Sequence, residues 1–149
     1  MSKAPATPVT DPDPHIAVAQ WFDLMGRFCA AVDYDATQAL FADDVFSFGT
    51  KATIVSGLAH LRRQQWEGIW GNISDFRFAL EQLHTGGDAA HAWGIAPWSS
   101  TGYHADGEPF DRPGRATAIL QRRSGIWLAV HTHFSLAPGT PAHTYGKHR

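Results

Sequence analysis

The chain of 149 residues holds one cysteine, has no excess of basic charge, and contains no long apolar run. Each of these absences excludes something. With Cys29 alone no disulfide forms within the chain, and its place on an apolar helical stripe makes it a small buried hydrophobe rather than an activated thiol. Twelve Lys and Arg against 14 Asp and Glu give a formal net charge of −2, which is no electrostatic footprint for nucleic acid or an anionic membrane. No segment approaches the roughly 20 apolar residues of a membrane span, and the first residues lack the apolar core of a signal peptide. The expectation is a cytoplasmic chain with no nucleic-acid and no membrane partner. What is abundant is aromatic: six Trp, nine Phe and three Tyr. Rings in that number exceed the need of a thin core, so some are expected to line a cavity or an interface.

Pattern along the chain predicts helices first and strands after. Residues 1–12 read as a disordered leader, 13–138 as a single domain, and 139–149 as a loosely held tail. Asp13-Pro14 is a cap followed by proline at the first helical position. Val18, Phe22, Met25, Cys29 and Val32 then recur at spacings of four and three, predicting a long amphipathic helix. Asp35 is expected to cap a short helix over 36–41, and a strand follows over 45–50. Ser56 is expected to cap a third helix over 57–70 with Leu58, Leu61, Trp66, Ile69 and Trp70 on its apolar side. Four strands are predicted from there, over 73–85, 89–102, 114–123 and 126–135, with a loose loop over 103–113. This order implies an α+β fold.

The run Gln121 to Ser135, with its basic pair, Ser124-Gly125 turn, Trp127 and His131-x-His133-x-Ser135, resembles the final hairpin of the association domain of calcium/calmodulin-dependent protein kinase II. Val55-Ser56-Gly57-Leu58 resembles the start of the helix before the sheet in that domain. Over about residues 15–138 the chain is therefore similar to the nuclear transport factor 2-like (SnoaL-like) superfamily. That resemblance implies a curved antiparallel sheet wrapped around the N-terminal helices in a cone, also called cystatin-like, and pairing as a dimer. It implies no single activity, because the fold carries many. Where the association domain places a histidine and arginines in its hollow, this chain has Leu61, Ile95, Ala118 and Phe134. No complete catalytic set is legible, and no cofactor is expected.

His131 and His133 point the same way on a strand, so they could bind a metal, move a proton or bond across an interface. Catalytic zinc needs three protein ligands and no third is evident, so no metal site is expected. The resemblance turns Val130, Thr132 and Phe134 toward the hollow, which puts both histidines with Trp127 at a homodimer contact. Phe48, Trp66, Trp70, Trp93 and Trp98 are candidates to frame a pocket for a small apolar or aromatic molecule. Arg115, or Arg112 beside it, is a candidate anion-holding guanidinium at the rim, against the simpler reading of Asp111 to Arg115 as surface ion pairs. Thr132, Gln65 and Tyr34 are candidate polar handles. The functional expectation is a small-molecule pocket protein of unassigned activity, with isomerase, lyase or cyclase chemistry on an apolar carbonyl compound as its candidate reactions; the alternative is a non-catalytic assembly or ligand-sensing module.

Overall fold

The computed structural model describes residues 8–146. Helix α1 (Pro14–Ala31) starts where expected, with the Asp13 carboxylate accepting from the backbone N–H groups of His15 and Ile16. It ends at Val32, whose φ of 54° lies in the left-handed region. A branched residue is strained there. Helix α2 (Tyr34–Gln38) follows at once, and for that reason its cap is Asp33 rather than Asp35. Asp35 sits in the first turn and pairs with Arg62.

The chain then enters β1 (Phe41–Phe48), four residues earlier than the pattern suggests, and pairs with β2 (Val55–Ser56). Ser56 is therefore strand, and no side chain caps the third helical run. Gly57 turns the chain at φ 94°, a conformation that a side chain resists. That run comprises α3 (Leu58–Leu61), a π-turn (Arg62–Trp66), α4 (Glu67–Ile69) and a 3₁₀ turn (Trp70–Asn72). In the wider turn the Glu67 N–H reaches the Arg62 carbonyl, and successive residues Gln65 and Trp66 are both buried.

The remaining strands are β3 (Ser74–Phe78), β4 (His84–Gly87), β5 (His91–Tyr103), β6 (Pro109–Asp111), β7 (Gly114–Arg123) and β8 (Ile126–Leu136). The predicted strand 73–85 is thus two strands separated by a 3₁₀ turn, Leu80–Gln82. The break has a cause in their shared neighbour β5: Pro97 offers a carbonyl to the Ala79 N–H but has no N–H to return. Residues 103–113 form no loose loop, since β6 folds back on β5.

Neighbouring strands run β2-β1-β8-β7-β5-β3, with β4 and β6 also on β5. The sheet is curved as expected and open, and it is antiparallel except where β1 lies parallel to β8, which makes it mixed. Many inward residues of β5 and β7 are small, Trp98 and Leu120 excepted. Ala92, Gly94, Ala96, Ala116 and Ala118 let α1 lie close, and a Cβ on Gly94 would fall 2.4 Å from the Phe22 ring. One core cluster results, with Trp21 and Phe22 fully buried.

A bulge decides which side of β8 faces that core. Leu120 pairs with Ala129 and Ile119 with His131, leaving Val130 without a partner. Before it Trp127 and Ala129 are inward and fully buried; after it Thr132 and Phe134 are inward and the histidines outward. Trp127 is therefore core, not interface, and Val130 is only half-buried. The N-terminal segment covers Trp127: its N–H donates to the Val9 carbonyl and its indole to that of Asp11. Of the expected leader, residues 1–7 lie outside the described residues, and Val9 is 2% exposed. The described part of the tail is also held, since the Thr144 hydroxyl donates to Asn72 and the Tyr145 N–H to Tyr103.

Candidate functional site

Between α1, the third helical run and the inner face of the sheet lie two adjoining cavities of about 30 Å³ each. They share Met25, Gln65, Trp70 and Phe134 as walls. The first adds Leu61, Trp66, Thr132 and the backbone turn at Phe48 and Gly49. The second adds Cys29, Thr50, Trp98 and Arg112 among its lining residues. Each has room for about two waters or one small functional group.

The sequence candidates divide between the two faces. Leu61, Trp66, Trp70, Trp98, Thr132 and Phe134 come together around the cavities, with Trp66 stacked on Trp70 at 5.1 Å. Ala118 faces the same way but is packed into the core, 1% exposed. Trp93, Ile95 and Arg115 do not belong to the hollow. Strand alternation puts them on the outer face, where Arg115 donates to the Ser135 hydroxyl. The Phe48 ring also leaves the hollow, standing edge-on to His131 and His133 at 5.3 and 5.1 Å. Among the described residues no group of three His, Cys, Asp or Glu could hold a metal.

Polar groups in the hollow are few and mostly committed. Gln65 accepts from the backbone N–H groups of Lys51 and Ala52 and donates to the Thr50 hydroxyl. The Thr132 and Ser47 hydroxyls bond to each other at 2.7 Å. Tyr34 stacks on Trp70 from outside the lining, with the Arg62 guanidinium 5.3 Å from its ring. Burial pushes the Cys29 thiol well up, so it stays protonated, an inert thiol as its sequence position implies.

Arg112 is the residue that sequence reasoning placed least well. It is 3% exposed, inside the hollow rather than in a surface ion pair or at the rim. Its backbone is fixed by Ser100, which accepts its N–H and donates a hydroxyl to its carbonyl. Its guanidinium lies 5.5 Å from the Trp98 ring and donates to Thr50. Burial lowers its pKa to about 10. The signal available was its place within Asp111-Arg112-Pro113-Gly114-Arg115, where two arginines compete and only the register of β7 tells them apart.

No curated protein matches the chain significantly. Many solved structures do. A protein of Novosphingobium aromaticivorans, provisionally named an aromatic ring hydroxylase, is 19% identical with a TM-score of 0.72, covering 87% of this chain and 92% of that one. A provisionally named calcium/calmodulin-dependent protein kinase II association domain from Xanthomonas campestris is 17% identical with a TM-score of 0.71, covering 94% and 99%. A Streptomyces avermitilis protein of the nuclear transport factor 2-like family, provisionally named a dehydratase, is 16% identical with a TM-score of 0.69, covering 87% and 100%. Likeness at these identities shows the fold and leaves activity open. The model of the SnoaL-like domain matches residues 18–139, and the chain belongs to that family, with its nuclear transport factor 2-like, cystatin-like fold.

Proposed function

We propose that this protein binds a small, largely apolar molecule in the hollow between α1 and the sheet. The observation that carries this reading is the pair of adjoining cavities with stacked aromatic walls, a small number of polar groups and one flexible wall, Met25. Binding rather than turnover is the better supported role. An isomerase, lyase or cyclase moves protons with groups poised near neutral pH, whereas the titratable lining groups here are a thiol held protonated and a guanidinium. The test is thermal unfolding with benzyl alcohol, indole, butyrate and benzoate, in the native chain and in Phe134→Trp, which adds volume to the shared wall. A ligand at 100 times its Kd stabilises by about 2.7 kcal/mol. At least one compound raises the native Tm and loses that effect in Phe134→Trp; no shift with any of them, or equal shifts in both proteins, contradicts the reading.

A specific feature of the outer face favours self-association as a second property. Two rows cross the sheet there, Phe46–His131–Ile119–Trp93 and Phe48–His133–Thr117–Ile95. Phe46, Phe48, Trp93, Ile95 and Ile119 are each between 37% and 53% exposed. Contiguous apolar strips of this kind mark association, and a second copy of the chain presenting the same strip is the partner it fits.

A further inference from the structure

Among the described residues, the side chains that line the second cavity offer donors and no free oxygen acceptor. Arg112 has no carboxylate within ion-pair distance among the described residues, and one hydrogen bond, to the Thr50 hydroxyl at 3.1 Å, accounts for its guanidinium. That hydroxyl accepts a second bond from Gln65 at 2.8 Å, which leaves its own proton to give. The Gln65 carbonyl oxygen is taken by two backbone N–H groups. The Trp98 ring lines the cavity as an apolar wall; its indole N–H is buried without a partner and has no surface open to that space. Ser100 is committed to the Arg112 carbonyl, and the nearby Cys29 thiol is uncharged. A buried cation is normally paired, and an unpaired buried donor costs free energy. Two donors around one space, one of them charged, are short of a single anionic acceptor.

From these contacts we infer that Arg112 and Thr50 form a receptor for the carboxylate of a small organic acid, whose apolar part lies against Trp66, Trp70 and Phe134 in the adjoining cavity. The inference rests on the proposed binding role of the hollow and names the class of its ligand. One guanidinium balances one negative charge, so a monoanion fits and a dianionic phosphate leaves charge uncompensated in a dry site. The size agrees. A space of about 30 Å³ takes a carboxyl group, and the tail enters the neighbouring 30 Å³ as the flexible Met25 side chain moves aside to widen it.

The test compares acids with their near-isosteric amides by calorimetry at pH 7, using butyrate against butyramide and benzoate against benzamide. The native protein binds the acid of a pair at least about tenfold more tightly. Arg112→Met, checked for its fold by circular dichroism, abolishes that preference, and Arg112→Lys keeps part of it. Amides bound as tightly as acids in the native protein, or a preference for acids that survives Arg112→Met, overturns the carboxylate receptor while the binding role stands. If neither member of either pair binds and the emission of Trp66 and Trp70 is unmoved, both fail together.

Discussion

At the scale of single residues, Arg112 is where local stability and site chemistry oppose each other. Its pKa, pushed down to about 10 by burial, reflects the disadvantage of holding the cation in the folded chain. The folded protein gives up this proton at lower pH than the unfolded chain does. Below about pH 10 the full penalty is present, and it fades as pH rises above that value, where the unfolded state binds more protons. Arg112→Met is therefore predicted to raise stability at pH 7 by up to about 3 kcal/mol, with the gap to the native protein closing across that alkaline window. Urea titrations of both proteins at several pH values check this; a variant less stable at neutral pH, with a gap indifferent to pH, contradicts it. Leu61 shows the ordinary case. It is 2% exposed in the core, and Leu61→Ala is predicted to cost about 2–5 kcal/mol in the same titration.

Elements show what the sequence could reveal and what it could not. Helix α1 was legible from its start, because its cap, its proline and its apolar period are all local features, whereas Val32, counted in that period, lies just past its end. The breaks were legible only in part. The split of β3 from β4 depends on Pro97 in the strand that pairs with both, and the bulge at Val130 depends on pairing between β7 and β8. A one-residue bulge reverses which side chains face inward, which explains how the outward histidines followed from the resemblance while Trp127 did not. Pocket residues on the third helical run were legible from its apolar side. Trp93 and Ile95 were not, because that sheet is apolar on both faces. At the end of α1, Val32 holds a left-handed conformation that glycine takes without strain. Val32→Gly is predicted to stabilise by about 1 kcal/mol, the relief of strain exceeding the added freedom of the unfolded chain. A lower Tm in calorimetry would show that the valine side chain contributes more than its strained backbone costs.

On the scale of the whole molecule, one sheet serves two surfaces. Small residues on the inner face admit α1 and leave the hollow, and large residues on the outer face form the apolar strip. Ile119 lies mid-strip on β7, so Ile119→Glu places a charge where two copies would meet. The native chain is predicted to scatter light as a dimer at micromolar concentration and the variant as a monomer; a native monomer contradicts self-association. Both surfaces depend on where the inward residues of β8 end. The most direct measurement of the binding role is a crystal structure grown with benzoate. Density for the acid is expected between Met25, Gln65, Trp70 and Phe134, with its carboxylate at Arg112 and Thr50. An occupied outer face beside an empty hollow would contradict it.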